Sequence, residues 1–107
     1  MAKPVVRRRR ASRDIEEAAE RYLEEAGERV ASGFVDEVER VCGAIARAPA
    51  AGSPRYSHEL QFPGLRSWRL RRYPYLVFYI ERDSHVDVWR VLHAQVDIAA
   101  WVTGSET

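Results

Sequence analysis

Residues 66–93 combine arginines, tyrosines and a histidine with the alternation and β-branched content typical of strands. Arg71, Tyr79, Arg90 and His93 are the side chains in this stretch that could act on a phosphodiester. Guanidinium groups stabilise charge that develops on phosphate oxygens, and Tyr or His can exchange protons with the attacking 2′-hydroxyl and the leaving oxygen of RNA. If the chain is a nuclease, these four residues are its candidate catalytic groups.

The same stretch also allows an interpretation without catalysis. Arg66, Arg69, Arg71, Arg90 and His93 could form a basic surface that binds a macromolecular target. A purely structural alternative makes Arg69 and Arg71 the solvent side of a half-buried strand, Arg90 a neutralised interior charge, and His93 a hydrogen-bond partner at a strand end. The residue types alone leave these alternatives open.

Other reactive motifs are absent from the sequence. It has no Gly-rich phosphate loop, no GxSxG and no HExxH, and three dispersed histidines with one cysteine do not match zinc-ligand spacing. Cys42 follows Val38 by four residues on an apolar helical stripe, so we expect it in the core. We therefore expect no metal and no other cofactor.

Three strands must position the arginines. Trp68 and Leu70 alternate with polar residues, residues 75–80 are continuously apolar or aromatic, and residues 86–92 are rich in β-branched side chains. Tyr73-Pro74 and Asp83-Ser84 separate these runs. The pattern predicts an antiparallel meander.

Two helices precede the meander. Apolar residues recur at helical spacing from Ile15 onward and again over residues 31–45. Ser12 is a candidate N-cap that would place Asp14 in the first turn, Gly27 is a candidate C-terminal glycine, and Ala48-Pro49 should end the second helix. The apolar faces of such a hairpin need a partner, and the strands are the available one. Phe34 and Trp68 are predicted at this helix–sheet interface.

The ends of the chain and the central loop are less regular. Val5 and Val6 with the arginines at 7–10 predict a short edge strand, in which alternate arginines would face opposite sides; the run also fits a nucleic-acid or localisation patch. Residues 48–58 form the longest loop, and residues 59–62 a possible brief strand. Residues 97–102 predict a helical turn, with Trp101 packing back as an apolar anchor.

Composition supports one globular domain over residues 1–107. No apolar run is long enough for a transmembrane helix, and the basic N-terminus lacks the apolar core of a signal peptide, so a cytoplasmic protein is expected. The net charge is +1, but residues 11–50 carry −5 and the remainder +6. Such an asymmetry suggests two partner-facing surfaces of different character. The predicted fold is α+β in the order β-α-α-β-β-β. Its helical hairpin packs on one face of a mainly antiparallel sheet, whose other face is left for a target.

Six segments follow one another in an order that can be compared with known families. They are D-I-E-E-A-A-E-R-Y at 14–22, A-S-G-F-V-D-E-V at 31–38, the pattern Ile45…Pro49…Gly52…Pro54-Arg55, G-L-R-S-W at 64–68, L-V-F-Y at 76–79, and W-R-V-L-H…D at 89–97. Their order and spacing resemble the ParE/RelE superfamily of type II toxin–antitoxin toxins over residues 5–101. The resemblance implies a toxin neutralised by a cognate antitoxin, whose C-terminal segment wraps it in a toxin–antitoxin hetero-oligomer.

The superfamily has two branches with different targets. RelE-like members are ribosome-dependent mRNA endonucleases, whereas ParE-like members inhibit DNA gyrase without nuclease activity. The nuclease branch tends to carry basic residues where this chain has Leu76 and Val96, and only Arg71 falls on a matching position. Val96 also departs from the V-L-H-x-x-R-D ending usual in ParE-like chains. The resemblance favours a ParE-like gyrase inhibitor that is not an enzyme. The alternatives are a RelE-like endonuclease acting with ribosome and mRNA, and a non-toxic remnant that still binds antitoxin.

Overall fold

The computed structural model of the chain describes residues 2–103, except for the side chain of Thr103. The elements in chain order are β1 (Val5–Arg7), α1 (Arg9–Ala26), α2 (Glu28–Arg47), a 3-10 turn (Pro49–Ala51), α3 (Arg55–Glu59), β2 (Leu65–Arg69), β3 (Tyr75–Glu81), β4 (Val86–His93) and α4 (Ile98–Thr103). The predicted α+β class, element order and C-terminal helical turn are confirmed. In this part of the chain, no helix combines the length and apolar character needed to span a membrane.

The four strands form one mixed sheet in the order β1-β4-β3-β2. β1 runs parallel to β4, with Val5 opposite Val86, while the other two pairings are antiparallel. β1 is therefore an edge strand, as predicted. On the opposite edge, Ser53 and Ser67 exchange two backbone hydrogen bonds of 2.9 Å each, so the central loop is tied to β2.

The helical hairpin covers one face of the sheet. Phe34 on α2 is fully buried, and its ring centroid lies 5.4 Å from Tyr22, 5.5 Å from Tyr73 and 5.1 Å from Tyr75. Cys42 is buried on the same side, and burial raises the pKa of its thiol, as expected for a core residue rather than a nucleophile. Trp68 packs against this cluster but stays half-buried.

The junction of β1 and α1 differs from the prediction. The strand ends at Arg7 and the helix begins at Arg9, so Ser12 is not its N-cap and Asp14 lies beyond the first turn. The Arg8 N–H donates to Val88 O at 3.0 Å, and the Arg8 carbonyl accepts from the Ser12 N–H at 3.0 Å. Arg8 thus connects the hydrogen-bond ladder between β1 and β4 to the hydrogen bonds of α1. Arg9 and Arg10 consequently belong to the helix.

The second face of the sheet is also covered, which contradicts the expectation of an open face. Phe78, Trp89 and Leu92 form a separate buried cluster with α4, and residues 56–62 contribute partly buried apolar side chains. The predicted strand at 59–62 is wrong: α3 ends at Glu59 and a turn follows. The physical reason is visible in β3, which is apolar or aromatic from Tyr75 to Ile80, so neither of its sides is polar. In β4 every residue except His93 is buried, including Asp87 and Arg90.

The C-terminal helix is held by different residues from the one predicted. Ile98 is 8% exposed and Val102 is fully buried, whereas Trp101 is 47% exposed. The Trp89 indole N–H donates to Val102 O at 3.3 Å. Trp101 is therefore not the apolar anchor of this helix; Ile98 and Val102 are.

Candidate target-binding surface

Arg69 and Arg71 lie exposed at one end of the sheet, where β2 passes into the turn before β3. Arg72 is exposed next to them and has a backbone φ of 69°, a left-handed conformation that is uncommon outside glycine. His93 closes β4 at the same end, opposite Tyr75 in the ladder. The fold therefore brings together Arg69, Arg71 and His93 from the predicted set, and adds Arg72.

Glu37 on α2 fixes this turn. Its Oε2 accepts the Arg71 backbone N–H at 2.6 Å, and its two oxygens accept from Arg40 at 2.7 Å each. The hydrogen bonds from Arg40 lower the pKa of Glu37 most, the Arg71 N–H lowers it further, and partial burial opposes both. An ionised Glu37 thus anchors the Arg71 backbone, while the Arg71 side chain extends into solvent.

A groove of about 370 Å³ separates this turn from α2. Gly33 forms part of the groove lining. A side chain would not fit at this position, because a Cβ there would lie 2.5 Å from the Tyr73 hydroxyl oxygen. That hydroxyl donates to Val30 O at 3.0 Å, which ties the turn to α2 a second time. The groove is lined by Arg40, Arg71 and Arg72 together with Asp36 and Glu37, so its lining carries one net positive charge.

Arg66 and Tyr79 lie opposite each other on β2 and β3, nearer the other end of the sheet. The half-buried Arg66 donates to Gly52 O at 2.7 Å, and the fully buried Tyr79 hydroxyl donates to Pro49 O at 2.7 Å. Burial raises the pKa of Tyr79. Both side chains hold the central loop against the sheet.

Arg90 lies in the interior, with only 2% of its residue surface exposed. Its guanidinium donates to both Asp14 carboxylate oxygens at 2.7 Å, and to Trp101 O at 3.1 Å. Asp14 also accepts the Val91 backbone N–H at 3.0 Å, which satisfies the edge of β4 beyond the end of β1. The structure therefore supports the interior-charge interpretation of Arg90, and Arg90 leaves the set of residues that a target could reach.

His93 is a hydrogen-bond partner at a strand end. Its Nδ1 accepts the Gln95 backbone N–H at 3.1 Å, and its ring meets Tyr75 edge-on at 5.1 Å. Arg21 donates to the Tyr75 hydroxyl at 3.0 Å. The side chains of Arg21, Tyr75 and His93 line a cavity of about 80 Å³. This space is too small for a nucleotide.

The four candidate nuclease groups do not converge. Tyr79 and Arg90 are enclosed, each with a different internal partner, whereas Arg71 is exposed beside α2. Residues 2–103 also contain no group of three His, Cys, Asp or Glu that could hold a metal ion. Sequence reasoning missed Arg72, although it directly follows Arg71. It also missed Arg40 and Glu37, whose place beside the turn follows only from how α2 packs.

The described part of the chain thus forms a small α+β protein with an arginine-rich rim at one end of its sheet. A solved structure of the chromosomal ParDE TA system from P. aeruginosa has a similar fold, with a TM-score of 0.75 and 18% sequence identity. The likeness covers 88% of this chain and 98% of that chain, and at this identity it shows the fold alone. A search of the curated proteins found no significant match.

Residues 5–98 match the family model of the ParE toxin of type II toxin-antitoxin system, parDE. Because the match spans most of the chain, this protein belongs to the ParE toxin family of type II toxin–antitoxin systems. The resemblance inferred from the six sequence segments is confirmed. A cognate antitoxin partner follows from membership of this family.

Proposed function

We propose that this ParE-family toxin acts in the cytoplasm by inhibiting DNA gyrase, which it contacts through Arg69, Arg71 and Arg72. The observation that carries the proposal is the exposure of these three side chains on a turn fixed by Glu37 and Tyr73. Within residues 2–103, no carboxylate forms an ion pair with their guanidinium groups. Exposed guanidiniums without a carboxylate partner suit an anionic partner surface, because no internal ion pair has to be broken when they bind.

The mRNA endonuclease alternative has weaker support. General acid–base catalysis needs a proton-exchanging group within hydrogen-bond reach of the substrate. The Tyr79 hydroxyl is buried against Pro49, and Arg90 is neutralised by Asp14. Only Arg71 and His93 of the four candidates remain near the surface, and His93 has one ring nitrogen already committed to Gln95.

Replacing Arg69 and Arg71 by alanine should leave the fold intact and weaken gyrase inhibition. Both side chains are exposed and make no internal side-chain hydrogen bond within the described residues, so the melting temperature should change little. Inhibition of supercoiling by purified gyrase should require at least tenfold more of the double variant than of the parent.

Arg29→Ala with Arg47→Ala is the matched control, because it also removes two exposed arginines and both lie on α2, outside the turn. If the Arg69/Arg71 variant inhibits supercoiling as well as the parent, the arginines of the turn are not the contact. Codon-specific cleavage of translated mRNA by the purified protein would instead establish the endonuclease alternative. Normal growth on induced expression, with antitoxin binding retained, would point to a non-toxic remnant.

The antitoxin has a candidate docking site on the outside of the helical hairpin. A groove of about 390 Å³ runs between α1 and α2, with Leu23 51% exposed and Val35 37% exposed along it. Glu20, Glu28 and Asp36 line its rim. An apolar groove with an acidic rim complements an amphipathic helix whose apolar face is flanked by basic residues. We therefore assign this groove to a basic amphipathic segment of the antitoxin.

Replacing Leu23 and Val35 by serine should weaken antitoxin binding by about tenfold or more, since burial of two half-exposed aliphatic side chains would be lost. Binding is measured by calorimetry with the purified cognate antitoxin. Val6→Ser is the control, because Val6 is 51% exposed on β1, outside the groove. Equal affinities of the double variant and the control would show that the antitoxin docks elsewhere.

A further inference from the structure

The four arginines at 7–10 have two different environments in the fold. Arg7 and Arg8 form internal ion pairs, whereas Arg9 and Arg10 are exposed to solvent. Arg7 forms an ion pair with Glu39 on α2. Arg8 donates to both carboxylate oxygens of Asp87 at 3.0 Å and stacks 3.6 Å over the Trp89 ring. Burial would raise the pKa of Asp87, but hydrogen bonds from Arg8 and Arg82 outweigh it and lower that pKa. Arg7 and Arg8 therefore serve the fold.

Arg9 and Arg10 instead project from the first turn of α1, and Arg13 lies one turn further on. All three are exposed, and no carboxylate of residues 2–103 forms an ion pair with them. Arg13 is spaced four residues from Arg9 and three from Arg10, so the three guanidiniums share one side of the helix. The fold therefore does not use these three charges in any ion pair within residues 2–103.

Trp101 completes this surface, which we call the α1–α4 patch: Arg9, Arg10, Arg13 and Trp101. Arg10, Arg13 and Trp101 line one cavity of about 290 Å³, and Arg10 and Trp101 line a neighbouring one of about 200 Å³. Glu17 and the paired Asp14 and Arg90 also line the larger cavity, so the patch keeps an excess of positive charge.

The exposed indole is held in place although it does not anchor its helix. Ile98 and Val102, on either side of it in sequence, are buried, and the Trp101 carbonyl accepts from Arg90 at 3.1 Å. The Arg90 guanidinium carbon lies 5.2 Å from the Trp101 ring centroid. A rigid aromatic surface, 47% exposed and bordered by guanidiniums, is thus presented to solvent.

We propose that the α1–α4 patch binds single-stranded nucleic acid, with its arginines on phosphates and Trp101 stacked on an unpaired base. Guanidinium groups recognise phosphate, and aromatic side chains stack on bases with little dependence on sequence. The arginines alone would accept a duplex or an acidic peptide equally well. The exposed indole favours a single strand, because bases in a duplex are already stacked on each other. The proposal is independent of the gyrase proposal, since the patch shares no residue with the turn at Arg69–Arg72.

The test measures anisotropy of fluorescein-labelled oligo-dT and oligo-U with the purified full-length chain, over a series of salt concentrations. A duplex of the same length and a poly-glutamate peptide are the comparison ligands. Arg10→Ala with Arg13→Ala should reduce the slope of log K against log salt by about 1.4, for two lost phosphate contacts on a single strand. Trp101→Ala should weaken single-strand binding about tenfold, and Trp101→Phe should restore most of it.

Arg29→Ala with Arg47→Ala, which removes two exposed arginines of α2, is the charge-matched control and should leave both affinity and slope unchanged. Three results would overturn the proposal: equal weakening by the Arg29/Arg47 variant and by the Arg10/Arg13 variant, duplex binding as tight as single-strand binding with no effect of Trp101→Ala, or binding of poly-glutamate in preference to the oligonucleotides. Circular dichroism of each variant establishes that it is folded. Because gyrase is absent from the assay, its outcome is separate from that of the supercoiling experiment.

Discussion

Replacing Phe34 by alanine should lower the free energy of unfolding by about 3–5 kcal/mol, the range found when a buried phenylalanine is truncated. Phe34 is fully buried and meets the rings of Tyr22, Tyr73 and Tyr75 at centroid distances of 5.1–5.5 Å. Alanine would leave a cavity between α2 and the sheet and remove all three aromatic contacts. Urea denaturation followed by circular dichroism gives the change.

Leu23→Ala is the control for this experiment, because Leu23 lies on the same hairpin but is 51% exposed. Its free energy of unfolding should fall by less than about 1 kcal/mol. Similar midpoints for Phe34→Ala and Leu23→Ala would mean that the interface between helices and sheet is placed incorrectly. Trp68→Ala should fall between the two, since Trp68 is half-buried against the same cluster.

The second large effect is expected at the buried ion pair. Asp14→Ala should destabilise the protein by about 3–5 kcal/mol, because it leaves the Arg90 guanidinium buried without its counter-charge. Arg90 is 2% exposed, and the Val91 N–H would lose its acceptor at the same time. Denaturant titration at neutral pH measures the loss.

A double-mutant cycle separates the pair from its surroundings. Asp14→Ala with Arg90→Leu should cost much less than the sum of the two single changes, since no unpaired charge remains. Glu16→Ala, an exposed acid on the same helix, should have almost no effect. Additive losses in the cycle would show that Asp14 and Arg90 do not depend on each other.

The fold could be predicted from the sequence largely because its main signals are local. The apolar spacing of α1 and α2 follows from Ile15, Phe34 and their neighbours, and Gly27, with φ of 92°, ends the first helix as expected. The N-terminal junction was predicted incorrectly because the start of α1 depends on a hydrogen bond from Arg8 to Val88, a distant strand residue. No sequence window around residue 12 contains that partner.

The covered second face of the sheet did have a sequence signal. The run at 75–80 is apolar throughout, and a strand with one wet face would alternate instead. What the sequence did not indicate is which segment covers it, since Tyr56, Leu60 and Phe62 lie in a stretch rich in loop-forming residues. In the structure, Tyr56 of α3 packs against Phe78, and Phe62, in the turn after α3, packs against Trp89.

The candidate surface was harder to predict than the fold, for a reason that Arg90 makes plain. The sequence does not distinguish an arginine that faces solvent from one that pairs with an interior carboxylate. The partner of Arg90, Asp14, is 76 positions away in the chain. Arg71 and His93 lie at one end of the sheet in the structure, but the anchoring role of Glu37 depends on the packing of α2. Ion pairs between distant elements decide which arginines remain accessible to a target.

The paired backbone of Ser53 and Ser67 has a consequence for how this toxin meets other chains. Those two hydrogen bonds occupy the middle of the outer edge of β2, where an incoming polypeptide would otherwise extend the sheet. Strand addition is thereby discouraged, both for a partner and for further copies of the same molecule. Toxin released from its antitoxin should accordingly not polymerise through the β2 edge of its sheet.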